Sequence, residues 1–192
     1  MLSHRGPDAK GSFIDSKNEW TVGLAHRRLS IIDLSSSGNQ PMSDKDNSIH
    51  IIFNGEIYNY KELKKKLEGK YKFKSTSDTE FILYLYKEKG EKLLEDLRGM
   101  FAFAIWDSKK EKLLMARDRF GIKPVYYNYS KEYFIFASEL KGILSSRLIE
   151  KKTNKKAAGL FLLNGSIPPP YTIYEGILSL EPGCFLIFQK GK

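Results

Sequence analysis

Three polar features, far apart along the chain, together carry the groups needed to hold a free amino acid and attack its side chain. They are Arg28, the pair Asn54-Gly55 and Asp78. A guanidinium binds an α-carboxylate through two parallel hydrogen bonds, and a carboxylate complements an α-ammonium group. An Asn amide next to a backbone N–H suits the oxyanion that forms when a side-chain carbonyl is attacked. The spacing leaves the plain alternative open, in which Asn54-Gly55 is a strand-ending turn and Asp78 caps a helix.

The chain around Asn54-Gly55 changes from a strand pattern to a helix pattern. Residues 49–53 are mostly β-forming residues. Leu63 and Leu67, four apart among Lys and Glu, instead mark one face of a helix. Asn-Gly after a strand is a strong hairpin signal, yet no second strand follows. We therefore expect Asn54-Gly55 to end the strand, with the glycine allowing close approach of the backbone to a ligand.

Residues 100–107 (MFAFAIWD) predict a strand covered on both faces, because both sets of alternating positions are apolar. A helix is predicted with Asp78 as its N-cap and Gly90 at its end. The other predicted strands are residues 11–15, 20–26, 71–73, 112–117, 125–129, 133–138 and 184–189, and the other predicted helices are residues 91–99, 139–145 and 157–163. Such a series indicates two stacked, mainly antiparallel sheets flanked by helices, with a single-sheet α+β domain as the alternative.

Length and composition predict one globular domain. The chain has 192 residues, of which 41% are hydrophobic, enough for a sizeable core. No apolar run approaches the length of a membrane span, and the first 20 residues have no apolar signal core. The single cysteine, Cys184, excludes an internal disulfide framework. We expect a cytoplasmic protein with no membrane partner.

The net charge of +9 raises nucleic acid as an alternative partner. The 25 lysines are spread along the chain, and no basic and aromatic module of the kind that binds RNA or single strands is evident. A lysine-rich solvated surface explains the charge, and we expect no nucleic-acid partner. Six of the seven arginines instead lie beside Gly, Asp or aromatic residues, which favours carboxylate recognition or internal ion pairs.

Eight segments in this order closely resemble the N-terminal glutaminase domain of glutamine-dependent asparagine synthetases. They are HRGPDAKG (4–11), LAHRRLSIIDLSSSGNQPM (24–42), IIFNGEIYNYKEL (51–63), SDTEFIL (77–83), LRGMFAFAIWD (97–107), ARDRFGIKPVYY (116–127), FASELKGIL (137–144) and PPPYTIYEGI (168–177). These domains are class II amidotransferases of the N-terminal-nucleophile (Ntn) hydrolase type. The resemblance implies one amidotransferase domain over residues 1–192, an α+β fold built as a four-layer αββα sandwich of two mainly antiparallel sheets.

The resemblance also implies a role for each of three residues already singled out. Arg28, in RRLSIID, is similar to the arginine that binds the α-carboxylate of glutamine. Asn54 and Gly55, in FNGEIYN, match the oxyanion hole of the family.

The acidic end of the same pocket is implied by two further matches. Asp78, in SDTE, resembles the carboxylate that pairs with the α-ammonium of glutamine, and Glu56 resembles its neighbour at the same end. Leu29 and Ile31 resemble the residues that line the pocket with their backbones.

The family's nucleophile is a cysteine at the start of the mature chain, whose own α-amino group acts as the base. This chain begins MLSHRGPD, so we expect an N-terminally truncated domain that keeps the glutamine pocket without the chemistry, and is inactive alone. The strand that carries this cysteine in the family is also expected to be missing, and its loss should leave an unpaired sheet edge. Cys184, in an apolar strand after Pro182-Gly183, is predicted to be a buried, inert thiol. Ser3 is not expected to replace the missing cysteine, because Met1 and Leu2 precede it.

The truncation has three explanations: a fragment or misplaced start, which is favoured, a nucleophile on another chain, or a non-catalytic remnant that binds glutamine or a synthetase partner.

The histidines predict no metal site. His4 and His26 are expected to make structural hydrogen bonds, and His50 to lie at the surface or across a strand pair. No pair of histidines has metal-ligand spacing.

No cofactor is expected in this chain. The resemblance implies that ATP and Mg²⁺ act in a separate synthetase domain, absent here, where aspartate is activated and amidated by ammonia from glutamine. Glutamine and that domain or subunit are the expected partners. A homodimer stays open, as does an amide acceptor of the sugar- or peptide-modifying kind.

Overall fold

The computed structural model describes residues 2–17 and 20–189. Its first two strands, β1 (Ala9–Asp15) and β2 (Val22–Arg28), form an antiparallel hairpin in which Ala9 pairs with Arg28. This hairpin was predicted, with strands at residues 11–15 and 20–26; β1 begins two residues earlier and β2 is shifted by two residues toward the C-terminus. Residues 18–19, part of the connecting turn, lie outside the described residues.

Two further antiparallel sheets follow. The main sheet has the order β10-β6-β5-β4-β3, with β3 (Met42–Ser43), β4 (Ile49–Ile57), β5 (Gly99–Asp107), β6 (Lys112–Arg117) and β10 (Phe185–Gln189). A smaller sheet has the order β8-β7-β9, with β7 (Tyr126–Tyr129), β8 (Phe134–Ala137) and β9 (Leu178–Ser179). The helices are α1 (Tyr60–Lys65), α2 (Asp78–Lys89), α3 (Leu93–Asp96), α4 (Leu140–Leu144) and α5 (Lys155–Asn164), with 3-10 turns at Ser3–Arg5, Ser36–Gly38 and Gly90–Lys92.

The central strand β5 is buried on both faces, as the sequence predicted. Phe101, Phe103 and Ile105 belong to the core between the main sheet and α2. Ala104 and Trp106 point the other way, into the core between the main sheet and the layer that holds the hairpin and β8. The two apolar faces of β5 are therefore explained by two layers that pack on opposite faces of the main sheet.

Helix α4 covers the outer side of the smaller sheet, where Ile143 is fully buried. The order of layers is thus helix, sheet, sheet, helix, which confirms the predicted α+β sandwich and rules out the single-sheet alternative. Within the described residues the second sheet layer is divided, because the β1-β2 hairpin and the β8-β7-β9 sheet share no ladder.

Several local predictions were wrong. Asn54-Gly55 lies within β4 rather than at its end, because β5 pairs with β4 as far as Ile57. The N-cap of α2 is Ser77, whose hydroxyl accepts from the Thr79 N–H, and Asp78 is the first helical residue. Residues 71–73 form no strand.

Two side chains are placed differently from the prediction. His50 is buried rather than at the surface, because its ring stacks on Phe13 at 3.6 Å and its Nε2 bonds to the Asn47 carbonyl at 3.1 Å. Cys184 is exposed rather than buried, since it lies in the turn that leads into the edge strand β10. No helix within residues 2–17 and 20–189 has the length and apolar character that crossing a bilayer requires.

Candidate active site

One open cleft of about 1200 Å³ lies between the two sheet layers. Its floor comes from β4, β5 and β6, and its two walls come from β2 and β8. All seven residues predicted for the site line it: Arg28, Leu29, Ile31, Asn54, Gly55, Glu56 and Asp78. The structure therefore brings together residues that are 50 positions apart in the chain, although the role of each one remains a prediction.

Asn54 and Gly55 are fixed against β5. Gly55 pairs with Phe101 at a φ of 156°, and a Cβ on Gly55 would lie 2.1 Å from the Met100 carbonyl oxygen. Only glycine fits this approach of the two backbones. Because side chains alternate along a strand, Asn54 and Glu56 face the cleft, while Phe53 packs into the core beneath α2.

The Gly55 N–H points away from β5. The N–H and C=O of its pairing partner Phe101 are both bonded to Asp118, on the opposite side of β5 from β4, so Phe101 and Gly55 form a pair without mutual hydrogen bonds. On the outer edge of β4, the Phe53 N–H donates to Gln40 Oε1 and the Ile57 N–H donates to Asp78 Oδ2. Between them, the Gly55 N–H lies at the cleft with no partner among the described residues. It is a free backbone donor beside a cleft-facing Asn amide.

Asp78 joins the start of α2 to β4. Its Oδ2 accepts from the Ile57 N–H at 3.0 Å, and the residue is 4% exposed. Burial, and to a smaller extent the nearby negative charge of Glu56, raises the pKa of Asp78 to about 6 against the opposing effect of the hydrogen bonds. A buried carboxylate with a second carboxylate nearby is well placed to bind an ammonium group, whose charge would favour ionised Asp78.

The guanidinium of Arg28 is partly occupied by the loop that follows it. Nη1 donates to the Ser35 carbonyl at 2.6 Å and to Asn39 Oδ1 at 3.0 Å, and Nη2 donates to the Asp33 carbonyl. A Cβ on Gly38 would lie 2.2 Å from Nη2, so the loop packs directly on the guanidinium. Of the five guanidinium protons, two remain without a partner among the described residues, on Nε and Nη2. Such a pair can bind a carboxylate.

Asp33, which the sequence analysis missed, connects this loop to the segment that precedes Asp78. Its Oδ1 accepts from the N–H and hydroxyl of Ser35, and its Oδ2 accepts from the N–H and hydroxyl of Thr76. These bonds, led by the Ser35 hydroxyl, lower the pKa of Asp33 to about 2. The motif Asp-Leu-Ser was a readable signal, because Asp commonly accepts from an N–H two residues later.

Gln40 and His26 were also missed as site residues. Gln40 is buried, and its Nε2 donates to the Thr79 hydroxyl at 3.2 Å. The structural hydrogen bond predicted for His26 is present, because its Nε2 bonds to the Phe53 carbonyl at 3.1 Å, and the one predicted for His4 is made with Glu139. No sequence pattern links these residues to Asn54, since the contacts cross between elements.

The thiol of Cys184 does not line the cleft. Its backbone is held at the start of β10, where the Cys184 carbonyl accepts from the Arg117 N–H. Among the described residues, six bring hydroxyl groups to the cleft lining: Ser3, Ser12, Ser77, Thr79, Ser138 and Ser145. The described residues therefore place hydroxyl groups but no thiol in the lining of the cleft.

Comparison with known proteins places these features in a family. Residues 1–192 match the family described as the glutamine amidotransferase domain. The chain is 50% identical over 190 residues to glutamine-hydrolysing asparagine synthetase 2 of Bacillus subtilis, covering 96% of this chain and 25% of that protein. It is 40% identical over 192 residues to amidase chry2 of Gibberella zeae, covering 100% of this chain and 28% of that protein. The chain thus spans 40% or less of the length of the curated relatives it matches first.

The fold has counterparts among solved structures. The glutamine phosphoribosylpyrophosphate amidotransferase from Bacillus subtilis, complexed with ADP and GMP, superposes with a TM-score of 0.65 at 20% identity, covering 98% of this chain and 42% of that one. At this identity the likeness concerns the fold alone. The Ntn-hydrolase type of sandwich implied by the sequence is confirmed.

Proposed function

The chain belongs to the glutamine amidotransferase family, and from this premise we propose that it is the glutamine-hydrolysing part of an asparagine-synthetase-like enzyme. The observation that carries the proposal is the convergence of Arg28, Asn54, Gly55 and Asp78 on one cleft. These groups match the two charges and the reacting carbonyl of glutamine.

Each group has a defined task in the proposed complex. The Nε and Nη2 protons of Arg28 bind the α-carboxylate, and Asp78 with Glu56 binds the α-ammonium. The side-chain amide of Asn54 and the free N–H of Gly55 donate to the oxygen of the γ-carboxamide as it becomes negative. In this proposal the Asn54 amide and the Gly55 N–H stabilise the tetrahedral intermediate from the positions that they already occupy.

The cleft is larger than glutamine needs, and we propose that a β-strand fills the remainder. At about 1200 Å³ it exceeds the usual range of small-ligand pockets, roughly 300–1,000 Å³. Both walls are strands paired on one side only among the described residues, β2 with β1 and β8 with β7. A strand inserted between them would satisfy both edges.

In this proposal the inserted strand carries the nucleophile, from residues upstream of Met1 or from a separate chain. A thiolate attacks the γ-carbonyl carbon, forming a C–S bond, and the oxygen takes the negative charge. The α-amino group of the N-terminal cysteine, which has taken the thiol proton, gives that proton to the nitrogen as the C–N bond breaks, so that ammonia leaves and a thioester remains. Water hydrolyses the thioester to glutamate and regenerates the thiol. Residues of this chain bind, orient and stabilise charge, while the thiol is supplied to them.

The acceptor of the ammonia belongs to the rest of the protein in this scheme. The relatives extend well beyond the matched region, so we assign ATP, Mg²⁺ and aspartate to a domain or subunit outside this chain. The match to amidase chry2 keeps a different acceptor as the alternative within the same family.

A glutamine-binding module without catalysis is the second candidate. It is favoured by one observation: the sole thiol, that of Cys184, lies outside the cleft. Glutamine binding is common to both candidates, and only turnover separates them.

Calorimetric titration of the purified chain with glutamine tests the shared part of the proposal. Arg28→Lys should reduce the affinity at least tenfold, because a lysine keeps the charge but loses the planar pair of donors. Arg147→Lys is the matched control, since Arg147 is exposed and outside the cleft. Equal affinity for glutamine in both variants would contradict the assigned pocket.

Added peptides test the strand proposal. A peptide with an N-terminal cysteine followed by alternating apolar residues should produce glutamate and ammonia, and should protect backbone amides of β2 and β8 from hydrogen exchange. N-acetylated and Cys-to-Ser versions of the peptide should protect the same amides without turnover. Turnover by the chain alone, or no protection of β2 and β8 by any peptide, would refute the supplied nucleophile.

A further inference from the structure

The outer edge of β4 loses its strand partner just before the site. β3 pairs with β4 only at His50 and Ile51. Beyond that point, the outward-facing backbone groups of residues 53, 55 and 57 have no neighbouring strand among the described residues. An unpaired, flexible edge at this position would leave the Gly55 N–H poorly placed, because the orientation of one peptide group depends on its neighbours.

Side chains take the place of the missing strand at Phe53. The Phe53 N–H donates to Gln40 Oε1 at 2.6 Å, and the Phe53 carbonyl accepts from His26 Nε2 at 3.1 Å. The backbone N–H and C=O of Phe53 are thus both bonded to side chains, one from the loop before β3 and one from β2. Gln40 is in turn bonded to Thr79 in the first turn of α2.

His26 is specialised for this contact. A carbonyl only accepts, so Nε2 carries the ring proton, and the lone pair of Nδ1 is buried without a partner among residues 2–17 and 20–189. Burial lowers the pKa of His26 to about 4, which keeps the ring neutral. A buried polar atom without a partner costs about 1–3 kcal/mol, so the site retains His26 at a cost to stability, which points to a role in the site.

We propose that Gln40 and His26 act as positioning residues that hold Phe53 and thereby aim the Asn54 amide and the Gly55 N–H at the substrate carbonyl. Asp78 completes the alignment from the other side by holding Ile57. The inference rests on the proposed glutamine pocket and adds to it the residues that set its geometry. Neither Gln40 nor His26 has to touch glutamine to exert this effect.

Comparing the affinities for two ligands distinguishes a positioning role from a general effect on stability. Norvaline has the same α-carboxylate and α-ammonium as glutamine but lacks the carboxamide that Asn54 and Gly55 would bind. His26→Leu should lower the affinity for glutamine about tenfold and leave the affinity for norvaline unchanged. His26→Gln should restore most of the loss, because its amide N–H can reach the Phe53 carbonyl.

Substitutions of Gln40 test the positioning role through the hydrogen bond that the Phe53 N–H donates. Gln40→Glu keeps an acceptor for the Phe53 N–H, whereas Gln40→Met removes it at similar volume. Only Gln40→Met should reduce the glutamine preference over norvaline.

His50 provides the matched control. Like His26, it has Nε2 bonded to a backbone carbonyl, and it lies on β4 itself, but it does not line the cleft. His50→Leu should lower the melting temperature and leave both affinities unchanged. Equal losses for glutamine and norvaline in His26→Leu, or a glutamine-specific loss in His50→Leu, would overturn the positioning role.

A readout without ligand keeps this inference distinct from the proposed function. If the unmodified chain binds neither amino acid, the proposed pocket fails, and the ¹H–¹⁵N signal of the Gly55 amide decides the positioning role alone. His26→Leu should shift or broaden that signal, and His50→Leu should not. An unchanged Gly55 signal in His26→Leu would refute the role.

Discussion

The Ile57 N–H donates to Asp78 Oδ2 at 3.0 Å, which places a buried carboxylate two residues beyond Gly55 on the same strand edge. One side chain therefore secures the end of β4 and presents negative charge at the cleft. The two tasks conflict energetically, because burial favours the neutral form of the carboxyl group while an ammonium ligand needs the charged form.

Asp78→Asn should stabilise the chain and abolish glutamine binding. The pKa of Asp78 is raised from 3.8 to about 6 in the folded state, so the folded chain binds a proton more tightly than the unfolded chain. Stability therefore falls as pH rises from about 4 to about 6, and stays lower above that range. A shift of this size corresponds to roughly 2–3 kcal/mol. Urea unfolding of both chains at pH 4 and pH 8 should show the gain only at pH 8, and a loss of stability at pH 8 would contradict it.

Gly55→Ala should destabilise the chain by several kcal/mol, about 2–4, and remove glutamine binding. The new Cβ would meet the Met100 carbonyl oxygen at 2.1 Å and the Phe101 Cα at 2.7 Å, so β4 and β5 would have to separate. Gly159→Ala is the control, because a Cβ there meets nothing within 4 Å and alanine favours the helix α5 by about 1 kcal/mol. Thermal unfolding should move in opposite directions for the two variants.

Asp33→Asn should weaken both stability and glutamine affinity at neutral pH. The folded-state pKa of Asp33 is lowered from 3.8 to about 2, so its ionised form stabilises the fold above about pH 4, and this contribution is lost as pH falls toward 2. We expect a loss of about 1–2 kcal/mol at pH 7 that shrinks in acid. Denaturant unfolding at pH 7 and pH 2.5 measures it; a loss of equal size at both would point to packing instead of charge.

Cys184 should react readily with a thiol reagent in the native state, because it is exposed in the turn before β10. One equivalent should be consumed without denaturant. Cys184→Ser should leave glutamine binding and stability within error of the unmodified chain. Loss of glutamine binding on this substitution would place Cys184 in the site, against its position in the structure.

Local pattern was enough to predict the core strand, and the family resemblance was enough to select seven residues that line one cleft. The alternating apolar residues of the strand at residues 100–107 required two covered faces whatever the rest of the chain did, and β5 has them. The motifs around Arg28, Asn54 and Asp78 resembled one family closely enough to assemble a pocket before any coordinates. The errors at Asn54-Gly55 and Cys184 share a cause, since both depend on which strand lies alongside, and pairing is not written in the local sequence.

By itself, the sequence determined the family, the layered α+β architecture and seven of the residues that line the cleft, because side-chain chemistry and periodicity are local properties. Only the tertiary structure decided that Gly55 keeps its N–H free, that Arg28 shares its guanidinium with residues 33–39, and that Gln40 and His26 hold Phe53. These are directional hydrogen bonds between distant segments. Their existence depends on strand register and on distances of about 3 Å, which only the packed chain sets.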